Sequence, residues 1–234
     1  MRTLGVLGGM SWESTAVYYR LLNQGVAARL GGLHSAALLL HSVDFADIAA
    51  RQSAGDWAGA AAQLGAAARG LQSAGAQGLL LATNTMHKVA PEIQAAAPGL
   101  PLLHIADATA TALKAAGVRH ASLLGTRFTM EDDGIVRARL QAQGLTVSVP
   151  LAEDRERMHR VIYEELVRGI IRPTSRADVV ALIARQAARG AQGVILGCTE
   201  IGLLIDEACS PLPVFDTTVL HAQAAVHWML EPSP

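Results

Sequence analysis

Cys198 lies in the stretch Gly193-Val194-Ile195-Leu196-Gly197-Cys198-Thr199-Glu200, whose pattern is one in which a thiol can do chemistry. Gly193 to Leu196 is a short, β-branched apolar run bounded by glycines, and it reads as a buried strand. The thiol follows the strand, then come Thr199, Glu200 and a segment with the pattern of a helix. At a strand-to-helix turn the backbone N–H groups lack partners and the helix dipole is positive. Both effects favour a thiolate, so the thiol pKa is expected to be lowered. Such a group can serve as a nucleophile or as a base toward a carbon acid. The alternative is a buried cysteine acting as a small hydrophobe.

A second copy of the stretch lies about half a chain earlier. Residues 75–85 read GAQGLLLATNT and residues 190–200 read GAQGVILGCTE. Leu4-Gly5-Val6-Leu7-Gly8 matches Ala121-Ser122-Leu123-Leu124-Gly125 at a similar offset. Leu100-Pro101-Leu102-Leu103 matches Leu212-Pro213-Val214-Phe215 in the same way. These matches predict two structurally similar halves. Thr83 then holds in the first half the place of Cys198 in the second.

The elements that would position these residues alternate between strand and helix. Strands are expected at Thr3–Leu7, Ala36–Leu40, Gly78–Ala82, Leu102–Ile105, Ala121–Leu124, Thr146–Val149, Gly193–Leu196 and Val214–Phe215. Helices are expected at Glu13–Leu30, with Val17, Leu21 and Leu22 on one face and Ser11 as its cap, and at Trp57–Leu71. Others are expected from near Met86, from Asp107, and over Met130–Gln143, Glu153–Gly169, Ser175–Arg189 and Thr218–Leu230. The polar segment His41 to Asp56 is expected to be a site-lining loop. The pattern predicts an α/β fold of two pseudo-symmetric lobes, each a mostly parallel sheet flanked by helices. The lobes are expected at residues 1–116 plus 218–234 and at 117–217. Gly8, Thr83, Gly125 and Cys198 fall at carboxyl ends of strands, where ligands of such sheets bind, and the site is expected in the cleft between the lobes.

Composition narrows the function. Hydrophobic residues make up 51% of 234 residues, broken by charges and glycines, and no window approaches a membrane span. No signal-peptide core follows Arg2, and two cysteines without framework spacing point to a reducing, cytoplasmic setting. The net charge is −1 with dispersed basic residues, which offers no nucleic-acid surface and makes a small molecule the expected ligand. Only Lys88 and Lys114 are lysines, and neither sits in a cofactor-anchoring context, so a pyridoxal-phosphate Schiff base is not expected. The sequence contains no GxGxxG, Walker or HExxH motif, the eight histidines lack metal-ligand spacing, and no cofactor or metal is expected.

Several stretches together resemble the aspartate/glutamate racemase family. They are Leu7-Gly8-Gly9-Met10-Ser11-Trp12-Glu13-Ser14-Thr15, His41-Ser42-Val43-Asp44-Phe45, Thr83-Asn84-Thr85-Met86-His87 and Gly197-Cys198-Thr199-Glu200-Ile201. The resemblance covers essentially the whole chain. It implies a cofactor-independent racemase of two α/β lobes, an amino-acid substrate and a homodimer. Most members carry Cys at the place of Thr83. The Thr is similar to a subgroup that is specific for L-aspartate and L-glutamate or acts broadly on amino acids, and Glu200 in place of a histidine points to the aspartate-type branch.

Racemisation removes the Cα proton from one face and returns one to the other. The resemblance assigns the proton of the L-enantiomer to Cys198, leaving Thr83 as a poor base able to donate or relay a proton. Backbone donors near Asn84, Thr85 and Thr199, with Met10 and Ser11 nearby, would hold the α-carboxylate. Gln52 and Lys88 are candidates for the side-chain end, with Arg51 in the same loop as Gln52, and Glu200 is a candidate substrate-site residue, the alternative being a carboxylate that simply favours a helix N-terminus. Cys209 is read as a bystander, His87 and His104 as structural, and Trp12, Tyr18 and Tyr19 as core or interface residues. Two other readings remain open: an arylmalonate-type decarboxylase, which also keeps only the C-terminal cysteine, and a silent amino-acid-binding protein.

Overall fold

The computed structural model describes residues 1–131 and 134–231. Asp132 and Asp133, inside the helix expected over Met130–Gln143, and residues 232–234, at the end of the expected first lobe, lie outside the described residues. The chain divides into two compact units, Met1–His104 with His221–Pro234, and Ile105–Leu220.

The first unit is built on β1 (Leu4–Gly8), β2 (Leu38–Ser42), β3 (Gly78–Leu81) and β4 (Leu102–Leu103), all parallel, in the order β2-β1-β3-β4. Its strands are apolar on both faces because helices cover both. Leu4, Val6, Leu80 and Ala82 pack with Tyr18, Leu22 and Val26 of α1 (Trp12–Leu30) and with Ala222, Val226 and Met229 of α9 (Thr217–Leu230). Leu7, Leu79 and Leu81 face the other way, onto Ile48 of α2 (Phe45–Ala54), Leu64 and Ala68 of α3 (Trp57–Ser73) and Ile93 of α4 (Ala90–Ala96).

The second unit repeats this arrangement. Strands β5 (His120–Leu124), β6 (Thr146–Ser148), β7 (Gly193–Leu196) and β8 (Val214–Asp216) are parallel in the order β6-β5-β7-β8. One face packs on α5 (Ile105–Ala115) and α6 (Ile135–Ala142), through Ile105, Leu113, Val136 and Leu140. The other packs on Met158 of α7 (Ala152–Arg160) and on Val179, Leu182 and Ile183 of α8 (Pro173–Ala188). The matching pairs found in sequence thus become β1 with β5, β3 with β7 and β4 with β8, at the same places in two sheets of one topology. Helix α5, grouped with the first lobe by a boundary at 116/117, packs in the second unit.

Several local expectations need correction. The segment His41–Asp56 is not a loop: it finishes β2 and forms α2, capped by the Asp44 carboxylate on Ala46 N (3.0 Å) and closed by Gly55 at φ 70°. Asp47 and Ser53 are exposed on the outer face of this helix, which buries Ile48 and Gln52. Helix α1 buries Ser14, Thr15, Tyr18, Leu22 and Val26, one residue round from the expected stripe, so Val17 and Leu21 are only half-buried. Tyr18 is core, whereas Trp12 and Tyr19 are exposed. The helix expected over Glu153–Gly169 is broken: α7 ends at Arg160, Val161–Glu165 form a π-helical turn, and a 3-10 turn over Leu166–Arg168 stops at Gly169. Ile105 begins α5 rather than ending β4. Among the described residues no helix is long and apolar enough to cross a membrane.

Candidate active site

Parallel strands gather their carboxyl ends along one edge of each sheet, and the expected site residues occupy those edges as two constellations, one per unit. In the first, β1 ends at Gly8-Gly9. Gly9 has φ 89°, and a Cβ there would lie 2.1 Å from Val43 O, so the turn demands glycine. Thr15 Oγ1 accepts from Gly9 N (2.8 Å) and donates to Ser11 O (2.8 Å), which ties the turn to α1, whose N-terminus Ser11 caps as expected. Met10 is buried in the same apolar cluster as Met86.

Thr83, Asn84 and Thr85 follow β3 and lead into a 3-10 turn over Thr85–Val89 and then α4. Thr83 and Asn84 are nearly buried. The Thr83 carbonyl accepts from His87 Nδ1 (2.8 Å), and the bond fixes the tautomer, because a carbonyl can only accept. The His87 ring lies 4.6 Å from that of His104 and 5.7 Å from that of His221. His221 in turn bonds the Tyr18 hydroxyl (2.9 Å) and Leu103 O (2.7 Å). Burial holds the His87 pKa well below its ordinary 6.5, with the neighbouring His104 and His221 pushing the same way. Of the three candidates for a side-chain contact, Gln52 is buried with its amide 2.9 Å from Met86 Sδ, next to Thr85. Lys88 holds its ammonium 4.7 Å over the Trp57 ring. Arg51 is turned to Asp56 (2.5 Å) and Gln63 (3.2 Å), where it braces the start of α3.

In the second unit the end of β7 is held by Gly197 N donating to Leu124 O (2.6 Å) and Thr217 Oγ1 donating to Leu196 O (2.7 Å). The turn after it is a five-residue 3-10 turn over Thr199–Leu203 with Cys198 at its N-cap. Cys198, Thr199 and Glu200 converge on one atom. The thiol donates to Glu200 Oε2 at 2.9 Å and the Thr199 hydroxyl donates to the same oxygen at 2.6 Å. Glu200 is buried.

This geometry reverses the expected thiol electrostatics. Burial raises the Cys198 pKa well above its ordinary 9.0. The Glu200 charge and its acceptance of the thiol proton raise it further, as does Asp216 at the end of β8. A short 3-10 turn offers too little dipole to offset an adjacent carboxylate. The resting group is therefore a thiol whose proton already points at a base. Both cysteines are free, and Cys209 packs at the margin of the apolar cluster behind Cys198.

Arg127, His159, Tyr163 and Asp216 also belong to this constellation, and no sequence motif marked them. Tyr163 comes from the π-helical turn, a form frequent at functional sites. Burial raises its pKa, the Cys198 charge raises it further, the Arg127 charge lowers it and the Glu200 charge raises it; Val161 and Ile162, which precede it, belong to the apolar cluster that Cys198 packs against.

A sequence model of the Asp/Glu/hydantoin racemase family matches residues 7–225. A candidate Asp/Glu racemase from Yersinia pestis is 53% identical, with 99% of this chain and 100% of that chain covered and a TM-score of 0.93. An aspartate racemase homologue from Pyrococcus horikoshii is 32% identical over 99% of this chain and 100% of that chain, with a TM-score of 0.85. The aspartate racemase of Picrophilus torridus shares the fold at 20% identity, with 98% and 94% covered and a TM-score of 0.71.

Two outcomes test this geometry. Glu200→Gln removes the charge that holds the thiol proton, so in a Cys209→Ser background iodoacetamide should label Cys198 faster at pH 8 than in the parent. Equal or slower labelling would contradict the assigned cause. The second concerns His87. The unfolded chain takes up a proton near 6.5 that the native state refuses, so this site's contribution is complete above pH 6.5 and declines as the pH falls below it. His87→Gln should shrink the drop in urea midpoint between pH 7.5 and pH 5.

Proposed function

Because the chain belongs to the Asp/Glu/hydantoin racemase family, we propose that it is a cofactor-independent racemase of L-aspartate, L-glutamate or a broader set of amino acids. Racemase chemistry is supported by the family match and by the two relatives at 53% and 32% identity. The observation that carries the mechanism is the single Glu200 oxygen that accepts from both Cys198 and Thr199. Glu200 takes the thiol proton as the thiolate takes the Cα proton of an L-substrate, so no free thiolate has to persist in a buried, anionic setting. The sulfur is then protonated by the substrate's own proton, and Glu200 holds the one it received.

The opposite face of the same carbon falls to Thr83, which occupies in the first topological repeat the place of Cys198 in the second. Its hydroxyl donates to the carbanion and is reprotonated by water, and the hydroxide left behind is neutralised as Glu200 releases its proton to solvent, which restores the resting state. An alcohol is a far weaker acid and base pair than a thiol, so the forward and reverse half-reactions differ in rate and saturation, though the equilibrium between enantiomers does not. Asn84, Thr85, Thr199 and the Met10 turn bind the amino-acid head, with Gln52 and Lys88 toward the side chain.

Independence from pyridoxal phosphate is supported by the two lysines. Lys88 is stacked on Trp57, and Lys114 is exposed beside Gln143. Two free cysteines fit a reducing cytoplasm, and exposed Trp12, Tyr19 and Leu33 fit a homodimer.

Proton NMR in deuterium oxide with L- and D-amino acids tests the reading directly. Wild-type protein should exchange Cα–H, faster from the L-isomer at limiting concentration, and Cys198→Ala should lose at least ~1,000-fold of that rate. Retention of exchange by the alanine variant would sink the assignment. Thr83→Cys should raise exchange of D-substrates, and a folded variant with no gain would count against the two-face mechanism.

A further inference from the structure

Some arginines of the second unit are neutralised by carboxylates. Arg139 pairs with Asp107 (2.7 Å), Arg185 with Asp154 (2.6 Å) and Arg157 with Asp178. Arg127 is not among these. It is exposed at the carboxyl end of β5, and among the described residues it makes no ion pair with a carboxylate. Its place is nevertheless built. Thr129 N donates to Thr126 O (3.0 Å), and the two threonine hydroxyls meet at 3.1 Å, closing a turn with Arg127 and Phe128 at its tip. The guanidinium lies 5.0 Å over the Phe128 ring. Arg127 N approaches His159 Nδ1 at 3.4 Å. The His159 ring stands edge-on to Phe128 at 6.1 Å and tilts on Tyr163 at 4.5 Å.

This cluster abuts the thiol turn. Strands β5 and β7 are hydrogen-bonded neighbours, and the turn after β5 presses on the residue before Cys198. A Cβ on Gly197 would lie 3.1 Å from Thr129 Cγ2, and one on Gly125 would lie 3.2 Å from Gly197 O. Cys198 packs against the apolar cluster that includes Met158, Val161 and Ile162, the residues that lead into Tyr163. Electrostatics agree with this placement: after burial, Tyr163 responds to the Cys198 charge in one direction and to the Arg127 charge in the other. The His159 pKa is lowered, chiefly by burial and then by Arg127, so in the neutral protein the guanidinium supplies the positive charge of this cluster.

We infer that Arg127, steadied over Phe128 and flanked by His159 and Tyr163, is the specificity residue that receives the side-chain carboxylate of an acidic substrate. The inference rests on the racemase reading for what happens at Cα, but not for the recognition of a dicarboxylate. An exposed cation with no carboxylate partner among the described residues, on the turn that presses on the Cys198 turn, provides the charge complement that aspartate or glutamate needs and asparagine does not.

The test compares wild type, Arg127→Gln and Arg127→Lys in two assays. In Cα–H exchange, Arg127→Gln should raise KM for L-aspartate by about tenfold or more with kcat within about twofold, a clearly larger loss than for L-asparagine, with Arg127→Lys restoring part of it. An unchanged aspartate KM, or equal losses for aspartate and asparagine, overturns the inference. The second assay is calorimetric binding of succinate, a dicarboxylate that cannot racemise. Binding weakened about tenfold in Arg127→Gln supports the inference even if wild type exchanges no amino acid, a result that would sink the racemase reading alone. Equal succinate binding in wild type and variant, or none in wild type, overturns it.

Discussion

Every strand in both sheets runs parallel to its neighbours, and the positions of the candidate functional groups follow from that. A parallel sheet must be covered on both faces, so its strand interiors admit little but apolar side chains and cannot host polar chemistry. Polar groups are pushed to the strand ends, and parallel pairing puts all the carboxyl ends of a sheet on one edge. The first turn after β3 and the first turn after β7 are therefore among the few places where Thr83 and Cys198 can be both held and reached. Glycines at Gly8, Gly9, Gly125 and Gly197 let neighbouring turns close on these positions, and buried hydrogen bonds from Thr15, Thr217 and His87 lock them.

At Cys198 two electrostatic influences oppose each other, and their sizes settle the outcome. A helix N-terminus is worth ~0.3–1 kcal/mol to an anion, and only one 3-10 turn begins here. A carboxylate oxygen 2.9 Å from the sulfur, at an effective dielectric of about 20, repels a thiolate by several kcal/mol. The carboxylate dominates. The same group that suppresses the thiolate is also the one able to take its proton, so acidity and basicity are arranged within one short contact rather than by a lowered pKa.

Much of this was legible in the sequence. The strands were, because doubly covered parallel strands read as short apolar runs between glycines. The duplication was, because GAQG and the apolar triplet recur in register. The family resemblance followed from four motifs in order, and the racemase comparisons agree with it. Helix α2 was not legible: its polar outer face resembled a loop, and only the spacing of Ile48 and Gln52 carried the signal. The sign of the Cys198 shift was not either, since sequence puts Glu200 two residues away without saying that its carboxylate turns back onto the sulfur. Arg127, His159 and Tyr163 come together only through a turn after β5 and a π-helical turn some thirty residues later, and neither leaves a pattern in the residues themselves.

The protonated state of Cys198 has a consequence for durability. Peroxide attacks thiolates, and progress from sulfenic to sulfinic and sulfonic acid begins with that first attack. A sulfur that keeps its proton against Glu200 is slow to enter that ladder. The buried carboxylate thus acts as a chemical guard for the thiol that it holds protonated.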